Sequence, residues 1–239
     1  MIPRGFKEAV ELSRRFYKAV DVGPDFAVRL DGRSPKSPAG KPLALPTEAL
    51  ASLIAEEWGR QGEHILLATM PATRLAWTAL DRVAEVHAEV AAEVARFAGS
   101  DLLCYRAEEP ASLVERHARL WEPLLDWARE DLGVALHAAE GIVHRPQPVA
   151  SLLRAEKLAE GLDDFSLAGL AHATALFGSA VLAFALQRGR LTGADAFGLS
   201  RLDEAFQEER WGIDAEAAER TERLADEAVM LERWFAALR

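Results

Sequence analysis

From Leu167 to Leu186 the chain reads L-A-G-L-A-H-A-T-A-L-F-G-S-A-V-L-A-F-A-L. That run is about long enough to cross a bilayer. Ala and Gly make up much of it, however, and His172 sits inside, and each weakens insertion. A helix that is apolar all round serves equally well at the centre of a helical bundle, where small residues let neighbours approach closely. We therefore expect a buried helix here and no stable membrane insertion.

The surrounding pattern supports a bundle. From Met70 onward apolar residues recur at helical spacing: Leu75, Ala79, Val83, Val86, Val90, Val94 and Phe97 step by four and three along a helix that Gly99 should stop. Further helices are expected from Pro110 to Leu132 before Gly133, from Pro148 to Glu160, from Thr192 to Trp211 and from Asp214 to the C-terminus. Thr192 and Asp214 are suited to N-caps, as is the Asp163-Asp164 pair ahead of Ser166 and Leu167.

Upstream of Met70 the period changes to two. Val20 alternates with Val22, then Phe26 with Val28 and Leu30, and Gly23-Pro24 between them predicts a hairpin. Asp31-Gly32 and Gly40-Lys41-Pro42 are further turn signals, and short strands at Leu43 to Leu45 and Ile65 to Leu67 are expected to complete an antiparallel sheet. Thr47 begins a helix whose Leu50, Leu53, Ile54, Glu57 and Trp58 share the side that covers the sheet. The expected class is α+β: a small antiparallel-sheet-plus-helix domain over residues 1–69, then a larger all-helical domain over residues 70–239.

Composition narrows the function. The chain has 239 residues, half of them apolar, and a net charge of −10 from 38 acidic and 28 basic residues. Bases interspersed with acids give no positive face for nucleic acid. The single cysteine, Cys104, cannot form an internal disulfide and reads as a small buried hydrophobe. No signal-peptide core follows the N-terminal methionine, so we expect a cytoplasmic protein.

Catalytic signatures fail one by one. There is no glycine-rich phosphate loop, because Gly40-Lys41 is followed by Pro42, and no G-x-S-x-G. The six histidines never pair at the helical spacing that would place two on one metal. We expect no cofactor, no metal and no catalytic residues. An enzyme with its site between the two domains, using Arg74, Asp81, His87 or Glu204, is the alternative, since clefts of that kind commonly hold ligands.

One stretch suits recognition. In L-S-R-L-D-E-A-F-Q-E-E-R-W-G, residues 199–212, a helical wheel groups Leu199, Leu202 and Phe206 as a core stripe. Glu204, Gln207, Glu208 and Trp211 fall together elsewhere. A flat aromatic beside an amide and carboxylates suits a partner surface, while Trp211 packed on a neighbouring helix fits the same wheel.

The ordered blocks R-F-Y-K-A-V-D-V, L-D-G-R-S-P-K-S-P-A-G-K-P-L-A-L-P-T-E-A-L-A, A-E-E-W-G-R-Q-G-E-H-I, A-T-M-P-A-T-R-L-A-W-T-A-L-D-R-V, D-L-L-C-Y-R-A, W-E-P-L-L-D-W-A and R-L-D-E-A-F-Q-E-E-R-W-G span residues 15 to 212. Together they resemble the F1-sector assembly chaperones of the F-type ATP synthase, the Atp-twelve family, with Ala72 a small departure at the position after Met-Pro, where the family usually has an apolar residue. The resemblance implies a non-enzymatic, two-domain bacterial chaperone that holds the unassembled α subunit until a β subunit replaces it. It implies a functional acid at Glu204, with Asp203 the alternative, and places Trp58 beside Glu57 and Gln61 in an N-terminal block. The partner-binding set is thus Glu204, Asp203, Gln207, Glu208, Trp211 and Trp58, and a monomer is expected.

Overall fold

The structure, a computed structural model, describes residues 13–141, 143–212 and 215–239. Strands β1 (Val20–Val22) and β2 (Val28–Leu30) pair antiparallel with Val20 opposite Leu30. Leu30 and Arg33 then exchange both backbone hydrogen bonds around Asp31 and Gly32, whose φ values of 48° and 80° make the type I′ turn that Asp-Gly signals. The sheet is smaller than the sequence predicts. Residues 43–45 and 65–67 form no ladder: Ala44 makes a single bridge to Ala27, and Leu67 begins a short 3₁₀ turn, Leu67–Thr69. Pro42 and Pro46 bracket the first of these segments, which limits the run of N–H donors a ladder needs.

Helix α1 (Glu48–Gly59) starts at Thr47, whose side chain accepts from the Leu50 N–H at 3.1 Å. Its buried side is the expected one, Leu50, Leu53, Ile54, Glu57 and Trp58, and it lies across the hairpin. Glu57 does more than fill space. Its carboxylate accepts the N–H groups of Ala72 and Thr73 and the Thr73 hydroxyl, each at 2.7 Å, and so caps α2 (Pro71–Asp81) from a neighbouring helix. Burial pushes that carboxyl above its usual range, against the pull of those donors.

The long helix expected from Met70 to Gly99 is two helices. After α2 the chain makes a 3₁₀ turn at Val83–Glu85 and restarts as α3 (His87–Gly99). Leu75, Ala79, Val83 and Val94 are buried, whereas Val86, Val90 and Phe97 are only half-buried. Helices α4 (Ala111–Trp127) and α5 (Val149–Glu160) follow the predicted boundaries, α4 continuing as a π turn to Leu132 before left-handed Gly133. Residues Tyr105–Arg106 (β3) and Ala139–Glu140 (β4) add a minimal parallel pair.

The run Leu167–Leu186 is also two helices, α6 (Asp164–Phe177) and α7 (Ala180–Gln187). Asp163 caps the first, accepting from the N–H groups of Phe165 and Ser166. Gly178 ends it in the left-handed conformation at φ 63°. No helix among the described residues is long and apolar enough to cross a membrane. A helix break inside a core exposes backbone polar groups that must find partners. Asp101, fully buried, supplies them: its carboxylate accepts the Ser179 hydroxyl at 2.7 Å and the N–H groups of Val181 and Leu103 at 3.0 and 3.1 Å. The Leu102 N–H donates to the Gly178 carbonyl. Cys104, beside this junction, is buried as expected, and desolvation pushes its thiol up to about 12.

The expected helix Thr192 to Trp211 is likewise divided, into α8 (Gly193–Ser200), capped by Thr192 as predicted, and α9 (Leu202–Trp211). The Ser200 hydroxyl donates to the Phe197 carbonyl, the acceptor that the Arg201 N–H would use in a continuous helix. Helix α10 (Ala215–Leu238) packs across α8, α6 and α1, and the Thr47 hydroxyl donates to its Ala237 carbonyl at 2.6 Å. The cap expected at Asp214 lies outside the described residues. Buried apolar residues from Tyr17 to Phe235 form one connected core.

Burial pushes the Asp101 carboxyl well above the usual carboxylate range, up to about 6. A raised folded-state value means that the group's stabilising protonation is complete below the unfolded value and is lost as pH rises through the folded one. Relative to Asp101→Asn, the native chain should therefore gain stability as pH falls from about 6 to about 4, read as the shift in urea midpoint across that window.

Candidate functional site

Helix α9 is held by its inner face. Leu202 and Phe206 are buried, and the guanidinium groups of Arg116 and Arg210 lie over the Phe206 ring at 5.2 and 4.2 Å. Arg116 also forms a two-pronged pair with Glu209, both contacts at 2.9 Å, which holds the Glu209 carboxyl below its usual range. Leu199 does not share this stripe, because the break at Arg201 assigns it to α8. It is half-buried, and its carbonyl accepts the Trp121 indole N–H at 3.0 Å.

The structure divides the predicted partner-binding residues. Asp203, its side chain 44% exposed, reaches inward with one oxygen: Oδ1 lies 2.5 Å from Nε2 of the buried His117. The Ala107 N–H donates to Nδ1 of the same ring, so Nε2 carries the proton and donates it to Asp203. The imidazole is stacked on Trp121 with centroids 4.0 Å apart. Asp203 thereby braces α9 against α4. Glu208 is half-buried and paired with Arg201 at 2.8 Å.

Trp58 is 5% exposed, a core residue on α1 whose carbonyl accepts the Tyr17 hydroxyl at 2.8 Å and whose ring meets Tyr17 and Trp77 edge-on. With so little surface it has no side-chain area to offer a partner, which corrects its place in the predicted set.

Three residues remain outward. Glu204 and Gln207 are exposed, and Trp211 is 78% exposed at the last turn, where Gly212 at φ 88° ends the helix. The helix thus reaches Trp211, and the outer face keeps the arrangement of the wheel. Beside Glu204 opens a cavity of about 780 Å³ lined by the apolar Leu176, Phe197 and Leu224 and by the charged Arg201, Arg220 and Glu204. Sequence reasoning missed Arg201, Arg220 and the cavity, since these come together only when α10 crosses α8.

Arg74, Asp81, His87 and Glu204, the residues of the alternative enzyme reading, do not line one cavity. Asp81 accepts the Ser37 hydroxyl and the Ala39 N–H. His87 bonds Asp164 at 2.7 Å. Glu204 lies in the cavity just described, and Arg74 lines a different groove. Among the described residues no three His, Cys, Asp or Glu side chains gather as metal ligands.

Comparison with known proteins decides the family. Residues 14–129 match the model of the ATP12 chaperone protein family. Atp12 from Paracoccus denitrificans superposes with a TM-score of 0.87 at 40% identity, over 95% of this chain and 99% of that one. The chain belongs to the ATP12 chaperone family. A mutant of the same Paracoccus protein, with one aspartate replaced by lysine, matches equally at 0.87 and 40%. A protein from Agrobacterium tumefaciens gives 0.89 at 39%, covering 95% of this chain and 87% of that one. The mitochondrial protein atp12 of Schizosaccharomyces pombe is 29% identical over 222 residues, 86% of this chain and 76% of its own. ATP12 membership makes the protein an assembly chaperone of the ATP synthase. The family model stops short of α9.

The brace and the outer face should respond differently to mutation. Asp203→Ala strands the buried His117 N–H and should cost about 1–3 kcal/mol, whereas Trp211→Ala should change stability by no more than about 0.5 kcal/mol, both measured by urea denaturation.

Proposed function

We propose that this ATP12 chaperone binds the unassembled α subunit of the F-type ATP synthase and shields its β-facing interface until the catalytic sector assembles. The observation that carries the reading is the outer face of α9, where Trp211 stands 78% exposed on the same side as Glu204 and Gln207. Large aromatics left this open on an anchored helix are commonly interface anchors, and directional acceptors around them set orientation.

The physical requirement supports it. A subunit normally covered by its neighbour exposes an apolar patch that promotes aggregation, so a holding protein must cover it. It must also yield to the proper partner, which argues for a modest interface with few anchors and a polar rim. The α9 face has that composition, and a chaperone acting as a monomer keeps it free. Glu204, which lines the cavity together with Arg201 and Arg220, accepts a hydrogen bond from the client or pairs with one of its cations.

Glu204→Lys should leave the circular dichroism spectrum and urea midpoint of the isolated protein unchanged, while weakening binding to purified α subunit at least tenfold by calorimetry. Unchanged α binding by that variant, or its unfolding, would remove α9 from the interface.

A further inference from the structure

Helices α2 and α3 both lie along α6 but make little contact with each other. A groove of about 520 Å³ stays open between them. Its floor includes Ala168 and Ala171 of α6, small side chains that leave the backbone approachable, with Val90 along one side.

The two walls carry opposite charge. On the α2 side stand Arg74 and, one residue past the end of the helix, Arg82, with Thr78 between them in sequence. On the α3 side stand Glu89 and Glu93, one turn apart. Arg74 is held by Glu227 at 3.7 Å, and Glu227 also meets His172 at the groove. Glu93 pairs with Arg96. Arg82 and Glu89 make no ion pair among the described residues.

An anionic small molecule or a lipid surface would be attracted by one wall and repelled by the other. A single amphipathic helix meets both, because it presents an apolar strip with a separate flank on each side. The small floor residues also suit close helix approach.

We propose that this groove seats one amphipathic helical segment of the client polypeptide, its apolar strip on Ala168 and Ala171, its acidic flank toward Arg74 and Arg82, and its basic flank toward Glu89 and Glu93. The inference shares with the α9 reading only the identity of the client, the α subunit. The groove is built from α2, α3 and α6, so the two surfaces stand or fall separately.

A photoreactive benzophenone amino acid placed at Thr78 of the full chain, irradiated with purified α subunit, should crosslink to one α segment. Mass-spectrometric mapping should show an apolar strip flanked by acids on one side and bases on the other. Arg74→Glu with Arg82→Glu should weaken α binding about tenfold without moving the urea midpoint, and replacing the acids of the crosslinked segment by lysine should restore it. The inference is overturned if α binds without crosslinking at Thr78, if the crosslink joins only two copies of the chaperone, or if the double reversal leaves affinity within twofold. Glu204→Lys, measured in parallel, separates the outcomes: its failure to weaken binding removes the α9 reading and leaves a Thr78 crosslink standing.

Discussion

The fold depends on how one buried carboxylate repairs a break in the most apolar stretch of the chain. Had α6 and α7 formed one helix, every backbone group between them would have been satisfied internally. Turning at Gly178 frees the polar groups of the buried Ser179 and Val181, and an unpaired buried donor costs about 1–3 kcal/mol. Asp101 accepts the Val181 and Leu103 N–H groups and the hydroxyl of Ser179, itself the cap of α7. The turn becomes affordable only because a residue about eighty positions away supplies the acceptors.

With that turn fixed, the remaining helices have surfaces to pack on. Gly169 of α6 lies under Trp234 of α10, where an added Cβ would stand 2.8 Å from the indole nitrogen. Gly193 opens α8 directly against the backbone carbonyl of Ala228, so α8 and α10 approach as closely as their main chains allow. The Trp234 indole N–H donates to the Phe165 carbonyl at the first turn of α6. At its far end α10 accepts from Thr47, the residue that begins α1, and so ties the hairpin-bearing part to the helical part. The outcome is one connected core, against which α9 packs by its Leu202 and Phe206 side.

The two candidate surfaces differ in how they arise. The α9 face is local, a single helix whose periodicity separates Phe206 from Glu204, Gln207 and Trp211. The groove beside α6 is not local, because its basic and acidic walls belong to different helices that meet only through a third. A helix wheel can find the first and has no access to the second.

Much of the local structure was legible because its causes are local. Thr47, Asp163 and Thr192 cap the helices they precede, since a side-chain oxygen at that position reaches the free N–H groups of the first turn. Asp31-Gly32 makes its turn because both residues tolerate positive φ. The family resemblance, carried by ordered blocks over most of the chain, identified the chaperone. What the sequence could not decide was where a continuous apolar pattern stops being one helix. The patterns over 70–99, 167–186 and 192–211 all permit unbroken helices, and each is divided in the structure. The same limit holds for individual side chains: Trp58 and Trp211 are both tryptophans on amphipathic helices, one sealed beneath Tyr17 and Trp77 and the other open. By itself the sequence determined caps, turns and helix faces, which follow from interactions within a few residues. Only the tertiary structure decided the breaks and the burial, because both depend on whether distant groups such as Asp101 or Tyr17 arrive to satisfy or cover what the local pattern leaves exposed.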